Sequence, residues 1–208
     1  MEQRSNEWYQ ERLGRFTSSS IHKLMGAKGL GQTGETYCME LAIDIVEGKD
    51  WSDEFTSFDM QRGIELEPIA FEKFSEIMSM DFIDVQKCGF IKLNKDTGSS
   101  PDGLVGDFGT LEIKCPKRDK FFNLVAFGSS EIDKAYLWQM QHQMMVTDRR
   151  LAYFFNYYIH NGKPLWHLLE VQRDDQSIDL MAKRIKEATN KRDEYVELIS
   201  SNIQYKEV

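Results

Sequence analysis

A mixed α/β fold, equally describable as α+β, is predicted by three features of this 208-residue sequence. Helix patterns fill most of residues 18–80, strand-like segments with tight turns follow over 81–115, and a helix, a strand pair and a last helix close the chain. No linker composition interrupts this order. The expectation is therefore a single domain over residues 1–208, with a mixed, mostly antiparallel central sheet flanked by helices.

The elements follow in order. Residues 18–25, "SSSIHKLM", read as a short helix with a serine N-cap, stopped by Gly26. Residues 35–47 repeat apolar positions at helical spacing and end at Gly48, and 50–59 are loop-like. Residues 60–80 form a second long helix, in which Pro68 marks the first turn or a kink. "DFIDVQ" and "GFIKLN" read as two strands joined tightly through Lys87 and Cys88. "GLVGD" and "TLEIKC" make a second hairpin, turned near Asp107 to Gly109. A helix over 131–147 precedes the strand pair "LAYFFNYYI" and "PLWHLLEV", which turns at "HNGK". The first of these strands is apolar on both faces and belongs inside the sheet, and a helix over about 177–200 ends the pattern.

Composition narrows the function. Cys38, Cys88 and Cys115 are odd in number, widely spaced and without a CxxC pair, which excludes a four-thiolate site and argues against a disulfide framework. Cys115 reads as a buried free thiol. The four histidines lack metal-ligand spacing and read as packing or surface residues. No apolar run is long enough to span a membrane, and the polar start is no signal peptide, so a cytoplasmic location is expected. The net charge of −8 argues mildly against a nucleic-acid partner, although a net value averages over local basic patches.

The chemistry is concentrated in "SSPDGLVGDFGTLEIKCPK", residues 99–117. Side chains alternate along a strand, so Leu111, Ile113 and Cys115 share a core face while Glu112 and Lys114 share the other. Asp102, in the Pro-Asp-Gly turn, is brought beside Glu112 by a hairpin. Two converging carboxylates repel unless a proton or a cation lies between them. Mg²⁺ suits such a pair, with Lys114 one strand step away to orient the attacking water, take its proton or stabilise a pentavalent phosphate. A plain ion pair accounts for Glu112 and Lys114 but leaves Asp102 as turn chemistry.

Pro101-Asp102, nine residues, then Glu112-Ile113-Lys114 resembles the PD-(D/E)xK nuclease motif, and the wider stretch resembles the phage lambda exonuclease, or YqaJ-like viral recombinase, branch. Three further blocks agree in order. Trp8, Arg12, Gly14 and Thr17 to Ser19 match that family's opening block, Gly63 and Glu67 its G-x-x-x-E helix, and Gln139 and Gln141 its glutamine-bearing helix. The similarity spans roughly residues 8–171. It implies a restriction-endonuclease-like fold in which Asp102, Glu112, the carbonyl of Ile113 and Glu67 hold Mg²⁺, with Mn²⁺ as a substitute. Lys114 is then the catalytic lysine, and Gln139 contacts the DNA or the attacking water.

The same resemblance implies a 5′-phosphate pocket of Arg12, Ser19 and Ser100. A planar guanidinium with hydroxyl donors suits that anion, and Ser18 as a helix cap would add free N–H groups. Gln141 and Lys117, with Arg118 and Lys120 nearby, are candidate DNA contacts. Phe58 and Met60 are candidate strand-separating wedges. The implied activity is 5′-to-3′ digestion of linear double-stranded DNA to mononucleotides. It leaves 3′ overhangs for a single-strand annealing protein in a phage or prophage recombination system, and the family implies a toroidal homotrimer. The rival readings are an endonuclease on the same fold, a non-catalytic DNA-end-binding protein, and a carboxylate-pair glycosidase that leaves Lys114 without a role.

Overall fold

The structure is a computed structural model that describes residues 3–49 and 58–204, with the side chains of 58–60 outside the description. Helix α1 (Asn6–Arg12) starts where Ser5 accepts a hydrogen bond from the amide of Trp8. Strand β1 (Phe16–Thr17) leads into a 3₁₀ segment, Ser18–Leu24, and helix α2 (Gly31–Glu47) ends at left-handed Gly48. Helix α3 (Phe58–Ser79) precedes strands β2 (Val85–Gln86), β3 (Ile91–Lys92), β4 (Thr97–Ser99), β5 (Gly103–Val105) and β6 (Gly109–Lys114). Helices α4 (Arg118–Phe127) and α5 (Lys134–Thr147), the hairpin of β7 (Leu151–His160) and β8 (Lys163–Gln172), and helix α6 (Asp175–Asn202) complete the order.

Five strands form one mixed sheet in the order β2-β5-β6-β7-β8. All its neighbours are antiparallel except β6 and β7, whose connection passes through α4 and α5. Helix α3 covers one face, with Ala70, Phe74 and Met78 against Leu111, Ile113, Tyr153 and Phe155. The Phe74 ring meets those of Tyr153 and Phe155 at 5.6 and 5.3 Å, tilted and edge-on geometries worth about 0.5–1.5 kcal/mol each beyond area burial. Helices α4 and α5 cover the other face, with Leu124, Met140 and Met144 against Ala152 and Phe154. Strand alternation therefore turns Glu112 and Lys114 towards α5 and Leu111 and Ile113 towards α3.

Three local expectations change. The segments 81–86 and 89–94 form no hairpin. Val85–Gln86 pairs with β5 and Ile91–Lys92 with β4, in different sheets. Where β3 meets β4 the Phe90 ring packs over Gly98, and an added Cβ there would lie 2.5 Å from it. Pro68 sits well inside α3 rather than in its first turn, lacking the amide that would bond the carbonyl of Ile64. Ser18 is not the N-cap of its segment. Thr17 holds that position, and the Ser18 hydroxyl lies 2.6 Å from both Ser99 Oγ and His142 Nδ1.

His142 is fully buried and joins α5 to the small sheet of β1, β4 and β3, with Nε2 2.9 Å from Thr97 Oγ1. Thr97 in turn donates to the carbonyl of Phe16 at 2.7 Å. Because the Thr97 hydroxyl gives its proton to Phe16, its oxygen accepts from His142 Nε2–H. Burial lowers the His142 pKa from 6.5 to about 3. Between those values the unfolded chain binds a proton that the folded chain refuses, so stability falls on acidification by up to about 1.4 kcal/mol per pH unit and is unaffected above that window. Urea unfolding of His142→Gln at pH 7 and pH 5 should show a flatter acid dependence than wild type. Equal dependence in both proteins would remove His142 as the cause.

Candidate active site

The site forms where β5 begins and β6 ends. Gly103 pairs with Leu111, which brings Asp102 level with Glu112. The Asp102 amide donates to the Leu111 carbonyl at 3.0 Å, and its Oδ2 accepts from the Ile113 amide at 2.6 Å. The N–H and C=O of one strand residue leave on the same side, so the Ile113 carbonyl also faces the Asp102 side. Two bonds thus fasten the Pro-Asp-Gly turn onto β6.

Glu112 is 1% exposed and receives three donors. Its Oε1 accepts from Gln139 Nε2 at 2.8 Å and lies 2.5 Å from the Lys114 ammonium. Its Oε2 accepts from Gln143 Nε2 at 2.5 Å. Gln139 and Gln143 stand one turn apart on α5, which is why both reach the same carboxylate. Gln141 lies on the far side of that helix. Its amide donates to the Gln172 carbonyl and its Oε1 accepts from Asp174 N–H, so here Gln141 joins the end of β8 to the start of α6. Gln143 is a site residue that sequence reasoning missed, although its spacing of four from Gln139 was a usable signal.

Glu67 comes from α3, which is tied to the end of β6 by Arg62 donating to the Cys115 carbonyl at 2.8 Å. Arg4 lies 3.1 Å from Glu67 Oε2. Trp8 lines the same cavity as Glu67 and positions two of its neighbours. Its ring carries the Arg12 guanidinium at 3.9 Å, and its Nε1 donates to Ser100 Oγ at 2.8 Å. The spacing of four between Trp8 and Arg12 on α1 makes that stacking possible.

Asp102, Glu112, Ile113, Lys114, Glu67 and Gln139 line one cavity of about 230 Å³ together with Arg12, Ser19 and Ser100. Lys117 lies outside it, at the exposed start of α4. It lines a neighbouring cavity of about 550 Å³ with Arg62, Lys120, Tyr9 and Tyr136. Phe58 and Met60 lie outside the described side chains. Cys88 and Cys115 are free, and burial pushes each thiol up to about 12, which keeps both as inert thiols.

Charge in the cavity is concentrated. Burial, then the carboxylates of Glu112 and Glu67, hold the Asp102 carboxyl well above the usual range, against Lys114 and the Ile113 amide. Burial alone pulls the Lys114 ammonium down, but Glu112 and Asp102 more than reverse it and leave its pKa above the ordinary lysine value. The Tyr136 ring lies 4.7 Å from the Lys114 nitrogen. Among the described residues no three Asp, Glu, His or Cys side chains form a ready-made metal cage. The donor set still fits a hard divalent cation. Asp102 and Glu112 repel each other across the hairpin, a strand carbonyl faces the same side, and every donor is oxygen.

Comparisons with known proteins bear on the family and the fold. The family model of the YqaJ-like viral recombinase domain matches residues 7–150. No curated protein matches the chain. The crystal structure of an alkaline exonuclease, LHK-Exo, from Laribacter hongkongensis is 28% identical, with a TM-score of 0.82 over 95% of this chain and 97% of that one. The same values hold for LHK-Exo in complex with dAMP. A phage related exonuclease from Haemophilus somnus 129PT shares the fold, with a TM-score of 0.72 and 20% identity over 90% of this chain and 96% of that one.

Proposed function

The chain belongs to the YqaJ-like viral recombinase domain family, and from that premise we propose that it is a Mg²⁺-dependent exonuclease that degrades linear double-stranded DNA from a 5′-phosphorylated end. One observation carries the reading. A single cavity is lined both by Asp102, Glu112, Ile113 and Lys114 and by Arg12, Ser19 and Ser100. The first group suits a phosphodiester under attack, the second a terminal phosphate. The likeness in fold to LHK-Exo, an alkaline exonuclease, supports the same class of activity.

Arg12, held flat on Trp8, offers its guanidinium fork to the terminal phosphate, and Ser19 and Ser100 add neutral donors. The next phosphodiester then falls to Asp102, Glu112 and the Ile113 carbonyl, which with Glu67 would hold Mg²⁺. When bound, that cation would polarise the phosphoryl group and lower the pKa of the attacking water. Gln139 and Gln143 keep Glu112 in one orientation. Lys114 stays an ammonium beside Glu112 and neutralises charge growing on the phosphoryl oxygens.

Water adds to phosphorus, its proton passes to solvent, and the P–O3′ bond of the terminal nucleotide breaks. The departing 3′ oxygen takes up a proton, and the nucleotide leaves as a 5′-monophosphate. Phosphorus stays on the next nucleotide, so each cycle regenerates the 5′-phosphate that the Arg12 pocket holds. Repeated cycles leave a 3′ overhang. Lys117, Lys120 and Arg62, with Tyr9 and Tyr136, suit the backbone and bases of the remaining DNA. The reading extends to one nuclease domain spanning the chain, a ring-shaped homotrimer, a single-strand annealing partner, and the cytoplasm of a bacterial cell carrying the phage or prophage. No helix among the described residues is long and apolar enough to cross a membrane.

End-labelled duplexes test this directly. In Mg²⁺ the 5′-phosphorylated linear duplex should be degraded to mononucleotides, and the closed circle should stay intact. The 5′-hydroxyl duplex should be degraded roughly 10- to 100-fold more slowly, the worth of one or two charge-assisted hydrogen bonds. A nicked circle would point to an endonuclease, and equal rates on the two ends would remove the phosphate pocket.

A further inference from the structure

The segment Gln3–Ser5 has no part in the chemistry above, yet Gln3 and Arg4 line the cavity of the site. Gln3 Nε2 donates to the carbonyls of Pro101 at 3.0 Å and Cys88 at 3.3 Å, and so grips the turn that carries Asp102. Ser5 caps α1 through the Trp8 amide. Between these anchors Arg4 adopts φ 67, a left-handed backbone that residues with a Cβ rarely take. The turn aims its guanidinium at Glu67 Oε2, 3.1 Å away. Arg4 and Glu67 together line all three cavities that meet at the site.

We infer that Arg4 exchanges partners: without a divalent cation it neutralises Glu67, and when a cation takes Glu67 the released guanidinium binds a backbone phosphate of the DNA end. The inference rests on the nuclease reading and adds to it a DNA-binding residue with a second, cation-linked role. Three acids share the cavity, and Lys114 is held by Glu112, so Arg4 is the cation placed at Glu67. A divalent ion and a guanidinium repel each other at one carboxylate, so occupancy by one displaces the other. Displacement needs no backbone motion, because the Arg4 side chain is 42% exposed while Gln3 and Ser5 hold the main chain on either side. A guanidinium freed beside a cavity that takes DNA meets phosphate, its best-matched anion.

Two measurements on Arg4→Gln and Arg4→Lys test the exchange. The first is Mn²⁺ binding to the DNA-free protein, read from the electron paramagnetic resonance of the free ion. Arg4→Gln should bind Mn²⁺ roughly two- to fivefold more tightly than wild type, the worth of one partly exposed ion pair, and Arg4→Lys should lie close to wild type. The second is binding of a 5′-phosphorylated duplex in Mg²⁺ as a function of salt, with Lys114→Gln in every arm so that the duplex stays whole. Arg4→Gln should lower the salt slope by about one phosphate contact, and Arg4→Lys should preserve it. Unchanged or weaker Mn²⁺ binding, or an unchanged salt slope, overturns the exchange. Failure of the wild-type protein to degrade DNA in any divalent cation would instead strike the nuclease reading, since Mn²⁺ competition is read without DNA.

Discussion

Lys114→Ala is expected to slow Mg²⁺-dependent DNA degradation by roughly 10²- to 10⁴-fold while leaving binding of a DNA end largely intact. Lys114 is the cation nearest the reacting phosphate in this reading, 2.5 Å from a Glu112 oxygen. No neighbouring side chain replaces it, because Gln139 and Gln143 bring only amides to Glu112. Alanine also leaves a buried carboxylate without its ammonium, so part of any loss of activity has to be separated from unfolding. Thermal unfolding by circular dichroism, beside anisotropy of a labelled 5′-phosphorylated duplex, makes that separation. A folded, DNA-binding variant with wild-type turnover would show that Lys114 does no chemistry.

Arg192→Leu should destabilise the protein by about 3–5 kcal/mol, the usual consequence of removing one partner of a buried ion pair. Arg192 is 6% exposed. From α6 its guanidinium donates to the Gly14 carbonyl at 2.6 Å and to Asp96 Oδ1 at 2.8 Å, and lies 5.6 Å from the Phe16 ring. The Asp96 carbonyl accepts from the Phe16 amide at 2.9 Å, so one side chain braces the segment that carries Arg12 to Ser19. Gly14 makes that brace possible. Its φ is 68, and an added Cβ would lie 2.5 Å from Ile45. Urea unfolding gives the magnitude. Asp96→Asn in the Arg192→Leu background should cost less than it does alone. A loss below about 1 kcal/mol for Arg192→Leu would place the pair among ordinary surface salt bridges.

Much of the site was legible before any tertiary contact was known. The alternation Leu111, Glu112, Ile113, Lys114 assigned the two faces of β6, and the short hairpin placed Asp102 beside Glu112. Both are consequences of strand geometry over a dozen residues. The glutamine block divides by helical phase, which sends Gln139 and Gln143 to Glu112 and Gln141 to the start of α6, a split that motif spacing alone does not show. Strand β4 was not legible at all. Thr97 and Ser99 are buried polar residues in a stretch of turn-like composition, and their partners, His142 and Ser18, come from distant parts of the chain.

The sequence by itself determined the long helices α2, α3, α5 and α6, the pairing of β5 with β6 and β7 with β8, and the acids and lysine that carry the proposed chemistry. Periodicity, turn residues and hairpin register are local properties, written within one or two elements. Only the tertiary structure decided which donor holds each carboxylate oxygen, that β3 and β4 leave the main sheet, and that Arg4 reaches Glu67 and Arg192 reaches Gly14. Those last two contacts join residues 63 and 178 positions apart. No pattern along the chain encodes such separations, because they arise only when packing of the apolar faces brings the elements together.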